Sequence, residues 1–83
     1  MAKARHDDID ISSALAAEIK RRREKAGLSL AGLAERAGLS QTYPGMIESG
    51  KASPTVEKVF AIAQALGISL KELVGEAERK VSK

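Results

Sequence analysis

Residues 28–51 read LSLAGLAERAGLSQTYPGMIESGK, and the parsing of this stretch decides the fold. Ser29 is suited to cap a helix over residues 30–37. Leu33, Ala34 and Ala37 give that helix an inward face at i, i+1 and i+4, and the small alanines permit close approach of a neighbour. Gly38 ends it, Leu39 is expected to be buried in the turn, and Ser40 is the next cap. The pattern is a short helix, a tight turn and a second short helix starting near Ser40. A helix-turn-helix of this layout normally sets its second helix in the major groove of DNA.

One dipeptide resists that parsing. With Ser40 as cap, Pro44 is the fourth helical residue, followed at once by Gly45. A proline there deletes the first i to i−4 hydrogen bond, crowds the Ser40 carbonyl and biases Tyr43 away from helical angles. An interior proline costs about 3 kcal/mol and a glycine about 1, against a total of roughly 5–15 for a small domain. The chain has two routes around the conflict. It can keep residues 41–43 as a tight 3₁₀-like first turn and kink before Met46, or it can start the helix late, with Pro44 in its first position. The first route retains Ser40 as cap and is the expected one; both distort the second helix.

Working outward, residues 1–11 mix Lys3, Arg5, Asp7, Asp8 and Asp10 without helical period and read as a mobile arm. Ser12 or Ser13 can cap a first helix, in which Leu15, Ile19 and Ala26 form an apolar stripe and Gly27 a left-handed stop. Pro54 and Thr55 open a fourth helix, Thr55 as cap and Pro54 in the permitted early position. Val56, Val59, Phe60, Ile62, Ala63 and Leu66 make it the most apolar, hence the expected centre. Ser69 and Glu72 spell a capping box before a fifth helix carrying Leu70, Leu73 and Val74. Gly75 is its expected end, and residues 76–83 a fraying tail. The reading is all-α: a compact five-helix domain over residues 12–75.

Composition narrows the chemistry. In 83 residues, 43% of them hydrophobic, Tyr43 and Phe60 are the only aromatics, so the core is aliphatic. There is no cysteine and one histidine, His6, which speaks against disulfides, metal sites and nucleophilic catalysis. No glycine-rich phosphate loop follows a strand, and no enzyme or cofactor is expected. No apolar run approaches the roughly 20 residues of a membrane span, and no leader segment is recognisable; the expectation is a soluble cytoplasmic protein. The net charge of +3 favours a polyanion only mildly. Its distribution says more: residues 20–23 are Lys-Arg-Arg-Arg, whereas residues 28–50 hold one cation, Arg36, against Glu35 and Glu48. Arg21 and Arg22 are the candidates for phosphate contact, the bland alternative being a solvated helix face.

These residues resemble the lambda repressor-like family, the Cro- or XRE-type helix-turn-helix domains. The marks are Arg23-Glu24 with Gly27-Leu28-Ser29, the L-A-x-x-A-G-L-S of residues 33–40, and the I-E-x-G-K of residues 47–51. The Pro54-Thr55 helix start and the A-L-G-I-S-L of residues 65–70 complete the set, in order over residues 13–74. The resemblance implies a homodimeric transcriptional regulator that reads double-stranded DNA. It sets Gln41, Thr42, Gly45 and Met46 at positions facing base edges, with Arg21, Arg22, Ser29, Ser40, Tyr43 and Lys51 at phosphates. Gln41 has suitable chemistry, since an amide pairs with adenine N6 and N7. Tyr43 can equally pack its ring against the last helix. The resemblance also implies an ion pair between Arg23 and Glu48 that ties the first helix to the third. Two positions depart from the family: Leu30 stands where a polar phosphate anchor is common, and Pro44-Gly45 interrupts the reading helix. Both, with the near-neutral helix-turn-helix, favour the second reading of the chain, a protein-interaction or antitoxin-like module on the same fold. The dimer surface is expected on the last helix, at Leu70, Leu73 and Val74, the bland alternative being that all three are core.

Overall fold

Local capping and helical periodicity account for most of the element boundaries. The computed structural model describes residues 10–81, and its order is α1 (Ile11–Lys25), α2 (Leu30–Ala37), α3 (Tyr43–Glu48), α4 (Val56–Ala65) and α5 (Leu70–Val81). No strand occurs among the described residues, so the expected all-α, five-helix class holds. The rest of the expected arm, His6 included, and residues 82–83 lie outside the described residues.

Four caps set the starts. Ser29 Oγ accepts from the Gly32 amide at 2.9 Å, Thr55 Oγ1 from Lys58 at 3.2 Å and Ser69 Oγ from Glu72 at 2.9 Å. At α1 the cap is Asp10, not Ser12 or Ser13: its Oδ1 accepts from the Ser13 amide at 2.7 Å. A carboxylate satisfies the free amide and the positive helix terminus together, which a hydroxyl does not. The helix therefore takes in Ile11, the last residue assigned to the arm. Pro54 lies one residue outside the Thr55 cap rather than inside α4. The capping box at Ser69 is only half made, because the Glu72 carboxylate accepts from Arg22 Nη1 of α1 at 3.1 Å instead.

α5 runs past Gly75 to Val81, so the tail expected to fray from residue 76 is helical. A mid-helix glycine costs about 1 kcal/mol. Two anchors beyond it offset that: Ala77 is fully buried, and Lys80 Nζ stands 3.4 Å from the Glu18 carboxylate of α1.

Each helix contributes one large, fully buried aliphatic to the core: Ile19, Leu33, Ile47, Ile62 and Leu73, packed with Ala14, Ala34, Ala63 and Ala77. α1 packs on α5 and α3, α2 on α3 and α4, and α4 on α5. The most extensive contact is between α1 and α5, so α4 is not the centre. Its apolar stripe is wider than its neighbours cover: Val59, Ile62 and Ala63 are buried, whereas Val56 and Phe60 are exposed by 73% and 48%.

Candidate nucleic-acid interface

The helix-turn-helix forms around one left-handed residue. Gly38 closes α2 at φ 71°, and the Leu39 amide donates back to the Ala34 carbonyl at 2.9 Å. The chain then turns through residues 40–42. The Tyr43 amide donates to the Ser40 carbonyl at 3.1 Å, an i to i−3 bond, and the first α-type bond is Met46 to Thr42, also 3.1 Å. α3 thus starts at Tyr43, with Thr42 in the cap position and no side-chain cap, so Ser40 does not cap it. Of the two routes around Pro44, the late start forms, keeping from the other only a 3₁₀-type turn. Pro44 falls within the first two helical positions, where an amide has no intrahelical partner to lose. Its ring is fully buried and so supplies an apolar anchor at the start of the helix.

This late start separates the proposed reading residues. Gln41 and Thr42 are exposed on the turn, and Met46 is exposed on α3, one turn below Thr42. Gly45 offers no side chain; a Cβ there would meet Leu30 Cδ1 at 3.5 Å. Leu30 lies close to α3 on one side yet is 37% exposed, as the protein-contact reading requires. Tyr43 is half-buried against the core, and Lys58 Nζ of α4 stands 5.7 Å from its ring centroid.

Arg23 of α1 grips the far end of α3. Its Nε and Nη2 donate to the two Glu48 carboxylate oxygens at 2.8 and 3.1 Å, and Nη1 donates to the Leu28 carbonyl at 2.8 Å. One guanidinium so joins α1, the α1–α2 turn and α3. Hydrogen bonding to Glu48 raises the Arg23 pKa, and the pairing shields the one carboxylate on α3 that would repel phosphate.

Arg21 and Arg22, the candidates for phosphate contact, are engaged within the domain. Both bind Glu18, whose side chain is only 1% exposed. Arg21 Nη2 and Nε approach it at 2.6 and 3.1 Å, and Arg22 Nε at 2.7 Å. A buried carboxylate is retained only when charged partners replace its water, and Arg21, Arg22 and Lys80 do so. Arg22 also holds Glu72 of α5, so this network faces the α1–α5 seam and not the α2–α3 side. Glu18 itself was overlooked as a core residue; its i+3 and i+4 spacing to Arg21 and Arg22 was the available signal. The Arg21 hydrogen bond leads in lowering the Glu18 pKa to about 2.

Lys20 remains from the basic run, without a carboxylate partner among the described residues. It lines a groove of about 430 Å³ between α1 and the α3–α4 loop, shared with Ser49, Gly50 and Ser53. Lys51 is exposed on that loop, its amide donating to the Met46 carbonyl at 2.8 Å. Ser29 and Ser40 are exposed at the two ends of α2's approach to α3. Among the described residues no group of His, Cys, Asp or Glu could hold a metal, and no helix is long and apolar enough to cross a membrane.

Comparison with known proteins agrees with this geometry. Residues 19–73 match the family model for helix-turn-helix domains, HTH_3. An uncharacterised HTH-type transcriptional regulator, y4dJ of Sinorhizobium fredii, is 36% identical over 66 residues, 80% of this chain and 86% of that protein. Among solved structures, an HTH_3 family transcriptional regulator from Vibrio cholerae is 34% identical, with a TM-score of 0.73 over 78% of this chain but only 36% of that one. The clp gene regulator ClgR from Corynebacterium glutamicum superposes with a TM-score of 0.81 at 26% identity, over 93% of this chain and 99% of that one. The sequence marks, the five-helix fold and these likenesses converge: the chain belongs to the lambda repressor-like helix-turn-helix (HTH_3) family of DNA-binding transcriptional regulators.

Proposed function

We propose that the chain reads a specific operator as a homodimer, each copy presenting the turn before α3 and the exposed side of α3 to the major groove. Gln41 supplies an amide fork for adenine, Thr42 a hydroxyl and methyl for a base edge or phosphate, and Met46 an apolar contact for a thymine methyl. Gly45 admits close approach of the duplex without reading it. Phosphate contacts come from Ser29 and the first amides of α2, from Ser40 in the turn, and from Lys51 on the loop. Lys20 takes the place that Arg21 and Arg22 held in the sequence reading, because their guanidiniums are committed to Glu18. Tyr43 supports the turn with its ring. The observation that carries this reading is the Arg23–Glu48 clamp, which fixes α3 by its C-terminal end and leaves Gln41, Thr42 and Met46 exposed together.

Selection of bound duplexes from a random pool, followed by titration at several salt concentrations, tests it. A specific reader prefers its best site over random sequence by about a thousandfold or more. Gln41→Ala should erase most of that preference, while Lys20→Ala and Lys51→Ala should weaken all sequences alike and each lower the salt slope by about 1. Binding that is weak, sequence-blind and unaffected by Gln41→Ala refutes the reading.

A further inference from the structure

Lys58 is placed against the local chemistry of its helix. It lies in the first turn of α4, where its amide donates to the Thr55 cap at 3.2 Å. A cation in that turn meets the positive end of the helix dipole and gains nothing from it. Glu57 suits the dipole there, but successive helix positions do not face each other. Among the described residues no carboxylate lies within ion-pair distance of Lys58. The side chain is exposed, yet it has one contact: Nζ stands 5.7 Å from the centroid of the Tyr43 ring, within range of a cation–π interaction. Tyr43 is the first residue of α3 and directly follows Gln41 and Thr42. A charge carried by α4 is thereby set beside the start of α3.

α3 is short for the groove it is proposed to enter. Six residues at about 1.5 Å each span about 9 Å, whereas the major groove is about 12 Å wide and is walled by a phosphate strand on each side. Whatever meets the two walls must come from the segments that flank the helix ends. At the C-terminal end positive charge is present: Lys20 lines the groove shared with Glu48, Ser49 and Gly50, and Lys51 follows them in the chain. At the N-terminal end the turn offers only the Ser40 and Thr42 hydroxyls, and residues 28–50 hold a single cation, Arg36, in the last turn of α2. We propose that Lys58 is the phosphate-binding residue of that end, with the Tyr43 ring as the positioning group that holds its ammonium in place. The proposal rests on α3 being the reading helix. A long side chain tethered before it binds loses less freedom on meeting the phosphate. The aromatic ring does this; the Tyr43 hydroxyl takes no part.

Titration of the full chain with a random-sequence duplex, over a series of salt concentrations, tests the assignment. Each phosphate contact contributes about 0.9 to the slope of log affinity against log salt. Lys58→Ala should therefore lower the slope by about 1 per bound copy and weaken binding roughly 5- to 10-fold at about 0.1 M salt. Lys58→Arg, which keeps the charge and can stack on the ring, should retain both. Tyr43→Leu should weaken binding roughly two- to fivefold, the scale of an exposed cation–π contact, and should cost nothing further when added to Lys58→Ala. Tyr43→Phe keeps the ring and should change neither affinity nor slope. Tyr43 is the one tyrosine and tryptophan is absent, so near-ultraviolet circular dichroism reports the ring in the folded Lys58→Ala protein, where its signal should change. A slope unchanged by Lys58→Ala overturns the phosphate contact. Equal losses from Tyr43→Leu with and without Lys58, an equal loss on Tyr43→Phe, or an unaltered ring signal overturns the positioning by Tyr43. Failure of the reading-helix assignment shows separately, as an operator preference untouched by Gln41→Ala, because the random duplex does not call on Gln41.

Discussion

Glu18→Gln is the substitution for which the structure yields the clearest number. The carboxylate is almost wholly buried on α1 and is approached by Arg21, Arg22 and Lys80 at 2.6, 2.7 and 3.4 Å. Its pKa falls from 4.5 to about 2, first through the Arg21 hydrogen bond. At about 1.4 kcal/mol per pH unit, that difference is worth roughly 3 kcal/mol. Arg21 is half exposed and screened by solvent, so about 2–3 kcal/mol is the proper expectation. Glutamine matches the shape but leaves three cations clustered around a neutral amide. A depressed carboxylate pKa contributes stability that is complete above its unfolded value of 4.5 and is lost as the pH falls through about 2. Wild type and variant should therefore differ by about 2–3 kcal/mol at pH 7 and converge as the pH falls through about 2, where Glu18 itself becomes protonated. Urea unfolding at a series of pH values measures this directly, and in the difference between the two proteins the other carboxylates cancel. At pH 7 the loss corresponds to a fall in melting temperature of roughly 10–20 °C for a domain this small. A difference below about 1 kcal/mol at pH 7, or one that does not shrink on acidification, refutes the assignment of Glu18 as a buried charge held by Arg21, Arg22 and Lys80.

Two further substitutions separate backbone effects from packing. Gly38→Ala meets nothing within 4 Å of its new Cβ, yet φ is 71°, so it should cost about 1–2 kcal/mol in denaturant unfolding purely through the left-handed backbone. Gly75→Ala also meets open space but sits inside α5 at ordinary helical angles, and it should stabilise by about 0.5–1 kcal/mol. If the two glycines respond alike, the backbone assignment is wrong. Pro44→Ala removes a buried ring and loosens the unfolded chain, and it should destabilise by roughly 1–3 kcal/mol; a stabilised variant would mean that the proline strains α3 rather than supporting it.

What could be read from the residues follows the range over which each signal acts. The caps at Ser29, Thr55 and Ser69 and the stop at Gly38 are fixed within three or four residues, and each forms as its local pattern requires. Signals that need a partner from a distant segment were read less well. Gly75 looked like an end because nothing local shows that Ala77 and Lys80 have α1 to bind. The cation run at residues 20–23 looked uniform, but Glu18 takes Arg21 and Arg22, Glu48 takes Arg23, and Lys20 is left to the loop side. Helical period placed Val56 and Phe60 near the inward stripe of α4, and only the packing shows that no helix of the same copy covers them. Gln41, Thr42 and Met46 are exposed together, whereas Gly45 faces Leu30 and Tyr43 faces the core.

Pro44 shows how an apparent conflict can be a solution under a different boundary. Counted from Ser40, it is the fourth helical residue and forbids the helix; counted from Tyr43, it is the second and favours it. Two residues of turn, Gln41 and Thr42, make the difference. The structure accepts them because the i to i−3 bond from Tyr43 satisfies the Ser40 carbonyl that the ring would otherwise crowd, and because the ring itself fills the core beside Ile47. The resulting α3 has six residues, too few to persist alone. Its position depends on three attachments: the buried ring at its start, Ile47 in its middle, and the Arg23–Glu48 clamp at its end. The side chains proposed to read the bases divide accordingly. Met46 moves with the helix, while Gln41 and Thr42 ride on a turn whose order comes from one backbone bond and the half-buried Tyr43 ring. Binding DNA must therefore order the turn more than the helix, and selectivity at the bases facing Gln41 should respond to changes at Tyr43 that leave the fold intact.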